Sequence, residues 1–525
     1  MIMKYVSVAE MQAIEREANL SGLSYERMME NAGRGLAEVV LDEYGYLADG
    51  GVLGLVGSGN NGGDTLVALA YLAEEGWNAS AAILRPRPES DPLVRRLLAA
   101  GGRVVRLDEL FDGEALEQLL GSHVLLLDGV LGTGVHLPLK AEVARVLEFI
   151  RQRLEKMEHP PVVVAVDCPS GVDCDSGQVA PECLPAELTV TMAAVKQGLL
   201  KFPAYHLVGE LRVVGIGLAR DGEGLQAWVN ARCILPDLEW VRTVLPQRPL
   251  DAYKGTFGSA LIAAGSASYT GAAWLAGQAA YRVGAGLVTL AVPAPLHTAL
   301  AGGFPEATWV LLPHQDGFID AQADTVLRPH LGKATVLLVG PGFGLELRTA
   351  EFLERLLKST GAGLPPMVID ADGLKLLQRI PDWAERLPSP AVLTPHPGEM
   401  SVLTGLPKEK IQADRLGLAL RCSQEWGHVI VLKGAFTVIA ASDGAAAIIP
   451  VATPALARAG TGDVLAGLIA GLRAQGVQAF EAAVAGAWIH AYAGLKAVEE
   501  VGNPASVLAG DVLRAAVTVI TDLLS

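Results

Sequence analysis

Val52-Leu53-Gly54-Leu55-Val56 runs directly into Gly57-Ser58-Gly59-Asn60-Asn61-Gly62-Gly63-Asp64, and an apolar-periodic stretch follows over residues 65–75. Strand, glycine-rich loop and helix succeed one another here, and such a loop can place backbone N–H groups around a phosphate. The pattern is neither G-x-G-x-x-G nor a P-loop, which argues against an ordinary hydride-transfer dehydrogenase or a P-loop NTPase. A plain turn, using Asn and Gly for positive φ, is the simpler reading of the same residues. Outward from this point, residues 79–84, 103–107, 124–128, 162–167 and 211–216 read as further strands separated by helices. The alternation predicts an α/β fold with a mostly parallel sheet covered on both faces. Ligands in such folds bind beyond the C-terminal ends of strands. Three polar clusters fall there: 60–64, 128–138 and 167–171.

At 525 residues the chain exceeds what one hydrophobic core supports, so two domains are expected. A polar stretch at 219–237, with Asp221-Gly222-Glu223-Gly224, reads as the linker between a first domain at 1–218 and a second at 238–525. The second half resumes the α/β alternation, with strands expected at 259–263, 287–292, 335–339, 367–370, 391–394 and 429–432. Residues 437–441 and 446–450 read as a hairpin around Asp443-Gly444.

The chain is 51% hydrophobic, with a formal net charge of −16, so no basic surplus exists to neutralise a nucleic acid or an anionic membrane. The long uncharged stretch 255–281 contains too many Gly, Ser and Thr residues for a membrane span. Glu10, Glu15 and Glu17 in the first helical pattern argue against a secretory signal. Five cysteines without a CxxC pair fit free thiols in a reducing compartment, and a cytoplasmic location is expected.

Two constellations carry chemistry. In the first half, Asn61, Asp128 and Ser170 are hard oxygen donors at neighbouring strand ends, and their single acid suits a weakly held K⁺ better than Mg²⁺. Asp167 closes a strand there. Lys196 ends another apolar run, and is either a surface lysine or a group reaching the same pocket. In the second half, Ala457-Arg458-Ala459-Gly460-Thr461-Gly462-Asp463 precedes a helical apolar run. Unpaired N–H donors at that helix start suit a transferring phosphoryl group, with Asp463 placed to take a proton from an attacking hydroxyl. Gly340-Pro341-Gly342-Phe343-Gly344, Asp370-Ala371-Asp372-Gly373, Thr394-Pro395-His396-Pro397-Gly398-Glu399 and Lys433-Gly434-Ala435-Phe436-Thr437 each follow an expected strand.

The first set resembles the NAD(P)H-hydrate epimerase family, the YjeF N-terminal domain, over about residues 5–217. The resemblance implies a Rossmann-like three-layer domain. Asn60, Asn61, Gly62, Gly63 and Asp64 would hold the hydrated dinucleotide, together with Gly132, Thr133, Gly134, Val135, His136, Leu137, Pro138 and Asp167. Asn61, Asp128 and Ser170 would bind K⁺, and Asp167 and then Lys196 are the candidate acid/base groups. Thr65, Cys168 and Gln197 depart from the family pattern, and Thr65 would narrow the loop's approach to the ligand.

The second set resembles the ADP-dependent NAD(P)H-hydrate dehydratases, of the ribokinase-like superfamily, over about residues 238–523. Lys433, Gly434, Ala435, Phe436, Thr437 and Gly462 would hold ADP, while Ala272, Gly342, His396 and Asp463 would contact the hydrated dinucleotide. Thr461 stands where sugar kinases of the superfamily have Ala, in agreement with the dehydratase branch. The resemblance implies that ADP, with Mg²⁺ on its phosphates, phosphorylates the hydrate's C6 hydroxyl, and that loss of phosphate then restores NAD(P)H. A vitamin-precursor kinase, or a non-catalytic binding role for the first half, are the rival readings. Partners are expected to be small molecules and further copies of the chain, with the Ala-rich stretch 482–493 packing between subunits.

Overall fold

The structure, a computed structural model, describes residues 3–88, 90–107, 112–218, 224–358 and 363–524. They divide into two compact units, Met3–Ala231 and Arg232–Ser525.

In the first unit β1 (Met3–Val6) leads into α1 (Val8–Leu20), where Ser7 and Glu10 cap each other's backbone N–H groups. α2 (Tyr25–Tyr44) follows, capped by Ser24. The sheet comprises β2 (Val52–Val56), β3 (Ala79–Ile83), β4 (Arg103–Arg106), β5 (Leu125–Gly129), β6 (Val162–Val166), β7 (Leu188–Met192) and β9 (Glu210–Val214). Its order is β4-β3-β2-β5-β6-β7-β9, and every neighbouring pair is parallel. β8 (Val195–Lys196) pairs with β1. The period of two in β2 shows why both faces must be covered. Val52 and Val56 pack with Leu66 and Leu69 on one side, Leu53 and Leu55 with Leu126 and Leu147 on the other.

The second unit contains β10 (Cys233–Leu235), β11 (Ser259–Ala263), β12 (Leu287–Pro293), β13 (Thr308–Leu312), a small hairpin of β14 (His314–Gln315) and β15 (Phe318–Ile319), then β16 (Val336–Val339), β17 (Met367–Ile369), β18 (Val392–Leu393), β19 (Val429–Leu432), β20 (Val438–Ala440) and β21 (Ala446–Ile448). The order β13-β12-β11-β16-β17-β18-β19-β20-β21-β10 is parallel except around β20, which is antiparallel to both neighbours. Helix Thr461–Ala474 packs against helix Thr270–Arg282 through Gly467 and Gly471, where a Cβ would run into the backbone of Ala276 and Ala280. No described helix is long and apolar enough to cross a membrane.

Several expectations change. The segment 57–64 is not loop throughout: α3 (Asn60–Glu74) begins at Asn60, so the Asn-Asn-Gly-Gly-Asp run forms its first turns. Of the expected linker, residues 219–223 lie outside the described residues. The remainder is ordered, as a short helix, Gln226–Asn230, with Trp228 in the first core, and as β10 paired with β21. The stretch 482–493, expected between subunits, lies within helix Ala479–Val501, and Ala482, Ala483, Ala485 and Ala493 are buried in the unit's own core. Their apolar surface is already covered, so it offers nothing to a second subunit.

Candidate active sites

The helix α3 has no side-chain cap; Gly59 stands at its N-cap. Its first N–H groups are therefore open to a ligand and carry the positive end of the helix dipole. They face a cavity of about 690 Å³ lined by Asn60, Asn61, Asp64, Gly132, Thr133, Gly134, Val135, His136, Pro138 and Asp167. Gly62, Gly63 and Leu137 do not line it. The two glycines serve packing: a Cβ at Gly62 would strike the Gly57 carbonyl, and one at Gly63 the Met29 sulfur. Gly62→Ala is accordingly expected to destabilise the first unit by about 1–3 kcal/mol. Gly59→Ala, with nothing within 4 Å of its Cβ, should change stability by at most about 0.5 kcal/mol in the same thermal unfolding measurement.

Behind the cavity floor sits a fully buried carboxylate, Asp128. Its oxygens accept from Ser170 Oγ at 2.6 Å and Ser170 N at 2.8 Å. Asn61 donates its amide to the carbonyls of Leu131 (2.8 Å) and Val166 (2.6 Å), which leaves its Oδ1 unspent. Burial pushes the Asp128 carboxyl up, the Ser170 hydrogen bonds oppose this, and no basic side chain contributes. Thr65, far from narrowing the cavity, hydrogen-bonds Asn61 O at 2.8 Å and turns its side chain toward Gly129 and Gly54.

Asp167 follows β6 with φ of 65°, a conformation that non-glycine residues rarely hold outside functional sites. Its Oδ1 accepts from Lys196 Nζ, from Thr191 Oγ1 and from Met192 N, the last two at 3.0 Å. Lys196 is not a surface lysine: its side chain is 1% exposed, and it also donates to Thr191 Oγ1 and Met192 O. An amine whose hydrogens are so committed fixes the position of Asp167 rather than reaching into the cavity.

In the second unit Gly460, at φ of 90°, turns the chain into helix Thr461–Ala474. The open N–H groups of Gly462 and Asp463 follow. Lys433 Nζ lies 2.6 Å from Asp370 Oδ1 and 3.7 Å from Glu399 Oε2, and Thr394 Oγ1 donates to Asp370 at 2.7 Å. Burial, reinforced by Asp370 and resisted by Lys433, pushes the Asp463 carboxyl up to about 7. Burial pulls the Lys433 ammonium down, but Asp370 and Glu399 outweigh it and keep the group above the ordinary lysine value.

A second cavity, of about 390 Å³, is lined by Lys433, Gly434, Ala435, Thr437, Gly462 and His396, with Ile449, Val451 and Leu465 as its apolar walls. Phe436 does not line it; it is buried at φ of 52° with its N–H on Val451 O. Ala272 and Gly342 approach each other closely but lie outside this cavity, as does Asp463. His396 caps helix Pro397–Thr404: its Nδ1 accepts from Gly398 N at 2.9 Å, and its Nε2 faces Glu399 at 3.3 Å. Burial lowers its pKa, so the ring is neutral near pH 7.

Residues 260–516 match the family described as NAD(P)H-hydrate dehydratase, and residues 25–198 match the YjeF-related protein N-terminus. The bifunctional NAD(P)H-hydrate repair enzyme Nnr of Moorella thermoacetica is 36% identical over 97% of this chain and 95% of its own length. The chain belongs to the bifunctional NAD(P)H-hydrate repair enzymes. The Escherichia coli Nnr repair enzyme is 31% identical, over 91% of this chain and 86% of its own. A crystal structure of the Bacillus subtilis ADP/ATP-dependent NAD(P)H-hydrate dehydratase, co-crystallised with ATP and Mg²⁺, is 28% identical over 55% of this chain and 98% of its own, at a TM-score of 0.46. Membership in the repair enzymes leaves the vitamin-kinase and non-catalytic readings without support.

Sequence reasoning missed part of both walls. Gln12 and Glu15 on α1, and Tyr25, Met28 and Met29 on α2, line the first cavity, although their spacing reads as ordinary amphipathic helix. His490, on the Ala-rich helix, lines the second without any local signal. Asp370, just past β17 in the Asp370-Ala371-Asp372-Gly373 motif, receives no role from the sequence alone, although two acids flanking one alanine at a strand end are the signal that points to it.

Proposed function

We propose that the two cavities carry the two halves of one repair: exchange of R and S NAD(P)H-hydrate in the first unit, and ADP-driven dehydration of the S form in the second. The observation that carries the dehydration is Asp463, a buried carboxyl pushed up to about 7 beside the open N–H groups of a helix start. Hydroxide leaves a ring carbon poorly; phosphate leaves well. The nucleotide's base fits the apolar walls Ile449, Val451 and Leu465, with its phosphates toward Lys433 and Gly462. Asp463 takes the C6 hydroxyl proton as that oxygen attacks the terminal phosphate of ADP, and the helix N–H groups stabilise the transferring phosphoryl. The ring nitrogen's electron pair then expels phosphate to leave N1=C6, and loss of a proton from C5 to water forms C5=C6 and returns the pair to N1, so that NAD(P)H, AMP and inorganic phosphate result. Four carboxyls, Asp370, Asp372, Glu399 and Asp463, gather around two lysines, Lys433 and Lys375, which fits a Mg²⁺ arriving on the nucleotide phosphates to neutralise their charge. Ala272, Gly342 and His396 are assigned to the hydrated dinucleotide on the family resemblance.

For the exchange, Asp167 is the base, held in position by Lys196. The first cavity takes the hydrate, with the open N–H groups of α3 toward its pyrophosphate. Asp128, buried without a basic partner, and the unspent Asn61 oxygen and Ser170 beside it suit a monovalent cation, which we assign as K⁺. Replacing K⁺ by Li⁺ is expected to slow R/S exchange and to lower the unfolding temperature of the first unit. The dehydration of pure S hydrate should be unaffected.

The deciding assay follows the near-ultraviolet absorbance of reduced nicotinamide on mixed R and S NADH-hydrate, with ADP, ATP or neither. Full recovery with ADP is expected. Recovery that stops at the S fraction would remove the exchange from the first unit, and none with either nucleotide would remove the dehydration.

A further inference from the structure

The configuration at C6 reverses when the hydroxyl leaves from one face and water returns on the other. Such a step needs a group that gives a proton to the departing oxygen and another that takes one from the entering water. Asp167 and Lys196 do not supply both, because Lys196 is sealed against Asp167, Thr191 and Met192. A second carboxyl does line the same cavity. Asp64, on the second turn of α3, is 8% exposed, and among the described residues no hydrogen bond or ion pair reaches its side chain. The charged groups facing it are Asp167 from the end of β6, Lys196 from β8 and Glu15 from α1.

We propose that Asp64 is the proton donor of the R/S exchange, acting on the leaving hydroxyl while Asp167 takes the proton of the entering water. Two carboxyls in one cavity are thus given different environments, which suits them to different roles. Asp167 has three donors on one oxygen. Asp64 has none, and burial together with the negative charge of Asp167 holds its carboxyl well above the usual range. In the step, the C6–O bond breaks with its electron pair on oxygen, the Asp64 proton joins it, and water departs. The lone pair of N1 forms N1=C6. Water then adds to C6 from the other face, its proton passes to Asp167, and the N1=C6 pair returns to N1. The proton returns from Asp167 to Asp64 through cavity water, so the balance is an isomerisation with exchange of the hydroxyl oxygen. Glu15, also pushed up by burial, lines the same cavity.

This assignment rests on the exchange reaction proposed above, and the test separates the two. Full-length wild-type and Asp64→Asn proteins are given pure S NADH-hydrate in H₂¹⁸O without nucleotide, and the appearance of R hydrate and of ¹⁸O in the hydroxyl is followed. Wild type should produce R hydrate with one labelled oxygen per inversion; no R hydrate above the uncatalysed rate would overturn the exchange reading itself. Asp64→Asn should lose about 10²–10⁴-fold in kcat with KM nearly unchanged. Its residual rate should no longer fall at high pH, because the limb that reports loss of the acid's proton is gone. A thermal unfolding transition of the first unit unchanged from wild type verifies that the variant is folded where Asp64 lies. An Asp64→Asn rate within a few-fold of wild type, a change in KM alone, or inversion without label would each overturn the assignment while leaving the exchange reaction standing.

Discussion

Asp463→Asn is expected to slow the dehydration of S hydrate by about 10²–10⁴-fold and to leave R/S exchange at the wild-type rate. Asn preserves the size of the side chain and the open N–H groups around it, so nucleotide binding should survive and the loss should fall on kcat. The same carboxyl also gives the reaction its pH dependence. In the free protein it sits at about 7 because it is buried beside Asp370. A base must be ionised, so kcat/KM should rise with pH through about 7. Stability moves the other way. The folded carboxyl holds its proton up to about 7 while its ordinary value is 3.8, so the folded chain binds more protons between these values and loses stability as pH rises through the folded pKa. Asp463→Asn removes that penalty and should melt above wild type at about pH 8. Retention of near wild-type dehydration by the Asn variant would remove Asp463 from the role of base.

Lys196→Met should produce the second large effect, this time on folding. The lysine side chain is 1% exposed and its partner Asp167 is 12% exposed. Removing the ammonium leaves a carboxylate in a place water hardly reaches, and breaking such a pair costs about 3–5 kcal/mol. Thermal unfolding of the first unit should shift down accordingly, and R/S exchange should vanish. In the double variant Lys196→Met/Asp167→Asn the unpaired charge is gone, so much of the stability should return, yet exchange should not. An unchanged unfolding temperature in Lys196→Met would mean that the pair contributes nothing to the stability of the first unit.

Much of this was legible in the sequence because parallel strands buried on both faces leave continuous apolar runs. β2, β11 and β19 coincide with the apolar runs at 52–56, 259–263 and 429–432. The motifs at strand ends were legible for a related reason, since glycines and acids there interrupt an otherwise apolar pattern. What escaped depends on distant packing. α3 begins at Asn60 although two glycines in its first turns weaken helix formation; the contacts of Gly62 with Gly57 and of Gly63 with Met29 select it. β13 lies at a sheet edge with exposed Thr308 and Leu311, and so lacks the continuous apolar character of its neighbours. The solitude of Asp64 is likewise a property of its surroundings, for nothing in Gly62-Gly63-Asp64-Thr65 shows that no donor will reach it.

The bare flank of helix Thr461–Ala474 reaches beyond its own packing. Where Gly467 and Gly471 meet Ala276 and Ala280, backbone lies on backbone, with no long side chain between to bend or slide. Ala272 is the third residue of helix Thr270–Arg282, and Asp463 the third of its partner. The spacing between Ala272, the proposed dinucleotide contact, and Asp463, the proposed base, is therefore set by two rods in direct contact, as a gauge block sets a gap. A methyl added at Gly467 lies a full turn from the chemistry, yet it would widen that gap and detune the reaction without touching a single reacting atom.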